Sequence, residues 1–189
     1  MPTETVNIAD VVILEKKYNK IKLIISDVDG TFTDGNIYYN KEGVEDIFIS
    51  HTRDNKAVEL CHENDIGFCF MTSTKERMSL LKRCLDLKID YYYLFQNVKD
   101  KLKCFVNTLM NNQSECFCDV NIDEIAYIGD DINDIEIMQY IQKNGGLIAC
   151  PDDAVWKVKF LHSIRIMNNN GGHGAVREFV DWIIKRNND

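Results

Sequence analysis

The sequence predicts an α/β protein in which helices cover both faces of a parallel β-sheet. Short apolar runs rich in β-branched residues recur along the chain, from IKLIISD near the start to GLIAC near the end. Segments whose apolar residues have helical spacing lie between these runs. Strands that are apolar on both faces and alternate with helices are typical of parallel sheets. No internal repeat or linker interrupts this alternation, so the pattern indicates a single domain.

The elements can be assigned in chain order. Residues 1–20 are predicted to form an N-terminal extension with a short helix at VVILEKKY, and residues 21–189 a single domain. The predicted strands are IKLIISD, IGFCFMT, DYYYLFQ, EIAYIGDD and GLIAC. The predicted helices are NKAVELCHEND, KERMSLLKRCLDL, KDKLKCFVNTLM, INDIEIMQYIQKN and AVREFVDWIIKR. Alternating residues on either side of KEG predict a β-hairpin over about 36–50.

Composition excludes several function classes. The chain has 189 residues and a net charge of −8, which argues against nucleic acid or an anionic membrane as partner. The sequence contains no apolar run of the ~20 residues that span a bilayer, and MPTETVNIAD does not resemble a secretory signal. The seven cysteines form no C-x-x-C pair, and a zinc site at Cys116 and Cys118 would lack its second pair. Reduced thiols in a cytoplasmic protein are therefore expected.

Acidic side chains gather at the predicted strand ends. In LIISDVDG an apolar strand is followed directly by Asp27 and Asp29, and in EIAYIGDD another apolar strand is followed by Asp130 and Asp131. The carboxyl ends of parallel strands meet at one edge of the sheet, where such folds bind ligands. Carboxylates at such short distances repel one another, so a cation is required between them. A hard divalent ion such as Mg²⁺ prefers oxygen ligands. The alternative is that VDG only forms a turn.

This cluster suits phosphoryl transfer. Asp27 can attack phosphorus as a carboxylate nucleophile, and Asp29 can protonate the leaving oxygen and then deprotonate water. Thr72, at the end of the second strand, can donate to a phosphoryl oxygen, or it can cap the helix that follows it. Lys99 or Lys101 can offset the charge of the nucleophile and phosphate, although exposed lysines are the rule.

The segment GDDIND completes the set. Asp130 and Asp131 can supply a cation ligand. Asp134 can orient the lysine or a metal-bound water through hydrogen bonds. A helix cap alone does not account for four acidic and amide residues beside a glycine.

The chain resembles the haloacid dehalogenase (HAD) superfamily, a Rossmann-like group of mostly Mg²⁺-dependent phosphatases. DVDGT, FMT, KDKL and GDDIND match its four motifs in order, and the resemblance covers residues 20–186. It implies Asp27 as nucleophile and Asp29 as acid and base. It implies Mg²⁺ ligation by Asp27, the Asp29 main-chain carbonyl and Asp130. It favours Lys101 over Lys99, and it leaves Asp131 and Asp134 as supporting groups around the metal.

Further segments resemble the branch without a cap domain that contains phosphatases of octulosonate 8-phosphate and nonulosonate 9-phosphates. These segments include NIYYNKEG, ACPDDA and GGHGAVREF. The resemblance implies a homotetramer in which a neighbour's C-terminal tail helps to close each site, and it implies a sugar-acid phosphate as substrate. The substrate-binding residues that it implies are Thr33, Asp34, Arg53, Ser73, His173 and Arg177. Thr74 stands where octulosonate enzymes generally carry arginine.

Three functions are therefore weighed. The first is a Mg²⁺-dependent phosphatase of a 2-keto-3-deoxy sugar acid, with octulosonate 8-phosphate preferred and a nonulosonate 9-phosphate as the alternative. The second is a non-catalytic tetramerisation module beside a cytidylyltransferase. Such a module does not need the complete set of carboxylates and lysine that this chain carries, which argues against this function. The third is a phosphomutase, which requires a cap domain to exclude water.

Overall fold

The computed structural model describes residues 20–43, 47–90, 93–110 and 120–189. Six parallel strands form one sheet in the order β3-β2-β1-β4-β5-β6. The strands are β1 Leu23–Ser26, β2 Gly67–Met71, β3 Leu94–Phe95, β4 Ile125–Ile128, β5 Leu147–Cys150 and β6 Arg165–Ile166. The helices are α1 Thr52–Glu63, α2 Met78–Asp86, α3 Lys101–Met110, α4 Ile135–Lys143, α5 Trp156–Lys159 and α6 Ala175–Asn188. The predicted fold class is confirmed.

Two apolar clusters lie between the sheet and the helices, one on each face of the sheet. Side chains alternate between the two faces of a strand, so Ile24 packs on one side of β1 and Ile25 on the other. The first cluster includes buried residues of α1, α2 and α6, and the second includes buried residues of α3, α4 and α5. Because both faces are covered, the central strands β1, β2, β4 and β5 consist almost entirely of apolar residues, which accounts for the continuous apolar runs in the sequence. The central position of β1 places its carboxyl end between those of β2 and β4.

Several predicted boundaries were wrong. The helix predicted from KERMSLL begins only at Met78, because residues 75–77 lead into it in a non-helical conformation, with Arg77 as N-cap. Thr72 therefore does not cap this helix. The short elements α5 and β6 were not predicted. Their residues are largely exposed, and a four-residue helix and a two-residue strand have too little periodicity to detect.

The segment 36–50 differs from the predicted hairpin. A turn does form where KEG predicted it, closed by Gly43 N–H donating to the Asn40 carbonyl at 2.9 Å. Residues 36–40 and 47–50 are assigned to no strand. An isolated two-stranded ribbon is marginal in water, and alternate apolar side chains here are exposed, such as Ile37 and Tyr39 at 60% and 62%.

Two expectations fall on residues that the structure does not describe: the short helix in the N-terminal extension and the pair Cys116 and Cys118. Five cysteines lie in the described part, and all are free thiols: Cys61, Cys69, Cys84, Cys104 and Cys150. Within the described ranges, no helix is both long and apolar enough to cross a bilayer.

Candidate active site

Three carboxylates converge at the carboxyl ends of β1 and β4. Asp27 follows β1, and its N–H donates to the Ile128 carbonyl of β4 at 2.9 Å, which holds the two strand ends together. One carboxylate oxygen each from Asp27, Asp130 and Asp134 lies within 4.8 Å of the others. The prediction that the acidic strand ends meet at one edge of the sheet agrees with this geometry.

The loop after β1 is shaped to bring its backbone against Asp130. The N–H groups of Phe32 and Thr33 both donate to the Val28 carbonyl at 2.9 Å, so the chain turns tightly. Gly30 has a φ of +91°, and a Cβ there would lie 2.2 Å from an Asp130 carboxylate oxygen. Only glycine combines this backbone conformation with so close an approach. The glycine of DVDGT therefore makes room for the acidic group of the neighbouring strand.

Lys101 lies inside the cluster. Its side chain is fully buried at the start of α3, with Nζ 2.7 Å from Asp27 Oδ1 and 2.6 Å from Asp134 Oδ1. Lys99, the other candidate, is exposed. The structure therefore places the lysine favoured by the KDKL motif between two carboxylates, and it leaves the other lysine in solvent.

Asp134 has its hydrogen-bonding capacity filled by the protein. Its Oδ1 accepts from Lys101 and from the Tyr127 hydroxyl, both at 2.6 Å. Its Oδ2 accepts from the backbone N–H groups of Asp130 and Asp131, both at 3.1 Å. A carboxylate with four donors has little capacity left for a metal. Asp134 thus orients Lys101 and the segment that carries Asp130.

The cluster carries more negative than positive charge. Burial and the nearby Asp134 carboxylate raise the pKa of Asp27 well above its usual range, although Lys101 opposes this. Burial, with Asp134 adding to it, raises the pKa of Asp130 to about 7, although a hydrogen bond from Thr31 opposes this. Burial works against the charged form of Lys101, but Asp27 and Asp134 outweigh it and raise the pKa of the ammonium group. Three carboxylates around one ammonium group fit a divalent cation with oxygen ligands.

Asp29 lies outside this cluster. Its side chain is 30% exposed and forms an ion pair with Arg77, with Nη1 3.1 Å from Oδ1 and Nη2 3.4 Å from Oδ2. The Thr74 hydroxyl donates to Oδ2 at 2.7 Å, and the Thr72 hydroxyl is 3.4 Å from the same oxygen. The residues that follow β2 therefore contact Asp29, which lies in the loop after β1.

The predicted substrate-binding residues near the loop have partners of their own. Thr33 is buried, and its hydroxyl donates to the Val28 carbonyl at 3.3 Å. Asp34 accepts from the Tyr38 hydroxyl at 2.7 Å, and Ser73 accepts from the Asn133 side chain at 3.0 Å. The contacts of Thr33, Asp34 and Ser73 with a substrate stay predictions. Asp131, predicted as a supporting group around the metal, is exposed, and its Oδ1 accepts from Ile132 N–H at 2.7 Å. Its role at the metal stays a prediction as well.

Arg53, His173 and Arg177 do not contact the clustered carboxylates. The Arg177 Nε donates to both oxygens of Asp181, at 2.8 and 2.9 Å, and the His173 ring pairs with the Gly171 carbonyl at 2.8 Å. Arg53 and Arg177 line a separate cleft of about 400 Å³ with Asn169, Gly174, Glu178 and Asp181. The two arginines therefore line a depression that is separate from the carboxylate cluster, and the role of Arg53, His173 and Arg177 in substrate binding stays a prediction.

Other contributors to the site were missed. Arg77 was taken as part of a helix, and Tyr127 as a core residue of its strand. Gly171 and Gly172 support the loop after β1, because a Cβ on Gly171 would lie 1.9 Å from the Gly30 carbonyl oxygen and one on Gly172 would lie 2.3 Å from Asp34 N. The paired glycines of NNNGGHG were a usable signal, since adjacent glycines often mark close backbone approach.

No family model matches the chain. The 3-deoxy-D-manno-octulosonate 8-phosphate phosphatase of Haemophilus influenzae is 30% identical to it over 172 residues, which are 91% of this chain and 87% of the relative. The chain belongs to this phosphatase family of the HAD superfamily. The phosphatase of that name from Yersinia pestis has a crystal structure with 30% identity and a TM-score of 0.74, covering 89% of this chain and 83% of that one. The Moraxella catarrhalis phosphatase, solved with magnesium, phosphate and KDO, has 27% identity and a TM-score of 0.75, covering 89% and 88%.

Proposed function

We propose that the protein is a Mg²⁺-dependent phosphatase that hydrolyses 3-deoxy-D-manno-octulosonate 8-phosphate through an aspartyl-phosphate intermediate. The observation that carries this proposal is the contact of Lys101 with Asp27 at the carboxyl end of β1, beside Asp130. This arrangement occurs in a chain that matches phosphatases of that substrate over nine-tenths of its length.

Asp27, Asp130 and the Asp29 main-chain carbonyl would hold the cation. The clustered oxygens and the raised pKa values of Asp27 and Asp130 fit a hard divalent ion, since a cation would favour the ionised carboxylates. When bound, Mg²⁺ would offset the charge of the phosphate and polarise a phosphoryl oxygen. Asp134 is left out of this set because its oxygens already accept four hydrogen bonds.

In the first half of the reaction, a carboxylate oxygen of Asp27 forms a bond to phosphorus. The bond between phosphorus and the sugar oxygen breaks, and its electron pair goes to that oxygen. Asp29, in its protonated form, gives the oxygen a proton, so the sugar leaves as an alcohol. Lys101 holds Oδ1 of Asp27 at 2.7 Å and fixes the orientation of the nucleophile.

In the second half, Asp29 takes a proton from a water molecule as the water oxygen attacks phosphorus. The bond between phosphorus and Asp27 breaks, the carboxylate is regenerated, and inorganic phosphate leaves. Asp29 ends protonated, ready for the next substrate.

One screen tests the proposal. Phosphate release from octulosonate 8-phosphate, neuraminate 9-phosphate and its deaminated analogue is measured side by side, with Mg²⁺ and with EDTA. The expected result is fastest release from octulosonate 8-phosphate, loss of activity in EDTA and recovery with Mg²⁺. Fastest release from a nonulosonate 9-phosphate would favour the alternative substrate. No turnover of any of the three would favour a non-catalytic module.

We also propose that the protein is a cytoplasmic homotetramer. Exposed apolar side chains at Ile37, Tyr39, Ile47 and Ile49 support an interface at the segment 36–50. Neighbouring subunits would then shield the active site, over which the described residues form no cap domain. Sedimentation of a fully active monomer would contradict the assembly, and activity in a membrane or secreted fraction would contradict the location.

A further inference from the structure

Arg77 reaches Asp29 from the N-cap position of α2, which neither the motifs nor the helical pattern indicated. Only 15% of the Arg77 side chain is exposed, and its two terminal nitrogens lie against the two oxygens of Asp29 at 3.1 and 3.4 Å. A guanidinium group that contacts both oxygens fixes the plane of a carboxylate, which a single contact does not.

The loop that carries Arg77 is itself fixed by hydrogen bonds. Arg77 N–H donates to the Gln96 side chain at 3.0 Å, and Thr74 accepts from Asn97 N–H at 2.8 Å through its carbonyl. Thr74 N–H donates to the Thr72 hydroxyl at 3.1 Å. The arginine is therefore held at both its backbone and its guanidinium group, unlike a mobile surface lysine or arginine.

The ion pair lies at a cleft beside the loop after β1. Arg77 and Asp29 line this cleft together with Asp34, Tyr38 and the segment 47–49. In the proposed reaction, a sugar phosphate with its phosphorus at the buried Asp27 would have its leaving oxygen toward the more exposed Asp29. A rotated Asp29 carboxyl could not direct its proton at that oxygen, so its orientation determines how well it can act as an acid.

We propose that Arg77 is a positioning residue that orients the Asp29 carboxyl group for proton transfer to the leaving oxygen. This role rests on the proposed function, in which Asp29 is the acid and base. The contact from Arg77 to Oδ1 is available in both protonation states of Asp29, because Oδ2 can carry the proton while Oδ1 continues to accept. Thr74 supports the same orientation from the side of Oδ2.

The test compares two leaving groups in the full-length protein with Mg²⁺. Arg77→Ala is expected to lower kcat for octulosonate 8-phosphate about 30-fold, because an alkoxide leaving group requires a well-aimed proton. For p-nitrophenyl phosphate, whose leaving group needs little protonation, the change is expected to stay within about threefold. Arg83→Ala, which removes an arginine from the same helix, is the control and should leave both rates unchanged.

Two further measurements distinguish positioning from a general structural role. In a double-mutant cycle, Arg77→Ala should add no further loss in the Asp29→Asn background, because no proton is left to direct. Guanidinium ion should partly restore the turnover of octulosonate 8-phosphate by Arg77→Ala, but not by the double variant. Arg77→Lys keeps the positive charge but loses the bidentate contact with Asp29, so its turnover of octulosonate 8-phosphate should lie between those of wild type and Arg77→Ala.

The outcomes separate this inference from the proposed function. Wild-type protein that hydrolyses neither substrate would overturn the proposed function, and the role of Arg77 with it. Wild-type protein that hydrolyses both, with equal losses for both in Arg77→Ala or additive losses in the cycle, would overturn the role of Arg77 alone. If Arg77→Ala fails to fold by circular dichroism, Arg77→Lys decides, and equal losses for both substrates would again overturn the role.

Discussion

Asp27 and Asp29 are separated by a single residue, yet they occupy opposite kinds of environment. The Asp27 side chain is 6% exposed and is bound by a lysine that is fully buried, whereas the Asp29 side chain is 30% exposed and is bound by an arginine at the rim. The chain leaves the strand between them, so one carboxylate turns into the cluster and the other out of it. The difference matches the two roles proposed for this short motif, in which Asp27 is a fixed nucleophile and Asp29 is a separate group that exchanges protons.

The largest expected effect is at the buried member of the pair. Asp27→Asn should lower kcat for every phosphate ester by about 1000-fold or more, ~4 kcal/mol in the barrier, because an amide does not attack phosphorus. The loss should be as large for p-nitrophenyl phosphate as for the sugar phosphate. A variant that keeps activity within about tenfold of wild type would remove Asp27 from the nucleophile role.

The lysine beside Asp27 should matter to stability as well as to rate. Lys101→Met leaves Asp27 and Asp134 buried without their ammonium partner, so we expect a loss of about 3 kcal/mol in the free energy of unfolding without metal. Urea denaturation measures this loss. Lys99→Met removes an exposed lysine two residues away and is the matched control, for which no change in stability or turnover is expected. Equal losses of stability in Lys101→Met and Lys99→Met would contradict the role of Lys101 as the buried partner of the two carboxylates.

The exposed member of the pair should show its role through the leaving group. Asp29→Asn is expected to slow hydrolysis of the sugar phosphate about 100-fold but that of p-nitrophenyl phosphate less than about tenfold. Steady-state kinetics on both esters with Mg²⁺ provide the measurement. Equal losses on both would mean that the Asp29 side chain acts in another way, and no loss on either would leave the residue only the role of its main-chain carbonyl.

The acidic cluster should also make stability depend on pH when metal is removed. Burial raises the pKa of Asp130 from 3.8 to about 7, and burial also raises that of Asp27. Between pH 3.8 and about 7 these two carboxyl groups bind more protons in the folded protein than in the unfolded chain, so their contribution to stability in EDTA is largest at low pH and falls as the pH rises through about 7. We expect a fall of about 2 kcal/mol in urea unfolding between pH 5 and pH 8. Asp130→Asn should reduce this fall, and a curve that rises over the range would contradict it.

The smallest expected effect concerns the second support of Asp29. Thr74→Val removes the hydroxyl that donates to Oδ2 at 2.7 Å, and we expect turnover of the sugar phosphate to fall about fivefold, as for one hydrogen bond. Thr74→Ser keeps the hydroxyl and should retain activity. If Thr74→Val keeps the full activity of the wild type, the hydrogen bond to Asp29 is not what matters at this position.

Much of the fold and the cluster could be predicted because each depends on a local pattern. The apolar runs and helical spacing indicate the sheet, and the acids that follow β1 and β4 must meet because parallel strands end at a common edge. Lys101 was the better lysine because of its place in KDKL, and the structure buries it between two carboxylates.

What could not be predicted depends on contacts between distant segments. Arg77 reads as an ordinary helix residue, because its approach to Asp29 depends on the path of residues 72–77. Tyr127 reads as core, because its hydroxyl is directed to Asp134 only by the packing of β4. The alternating residues of the segment 36–50 predicted strands, but alternation without a neighbouring strand does not establish a ladder.

The contact between the glycine pair and the loop after β1 has a consequence for protein synthesis. Gly172 N–H donates to the Thr31 carbonyl at 3.0 Å, a contact between residues 141 positions apart, from 172 − 31. At 5 to 20 residues per second, a ribosome needs about 7 to 28 seconds to add the intervening chain. The loop after β1 is synthesised early, and the glycine pair that supports it is added only at the end of that interval. A nascent chain therefore passes through a period in which the residues of β1 and its loop have been made but the complete site cannot form.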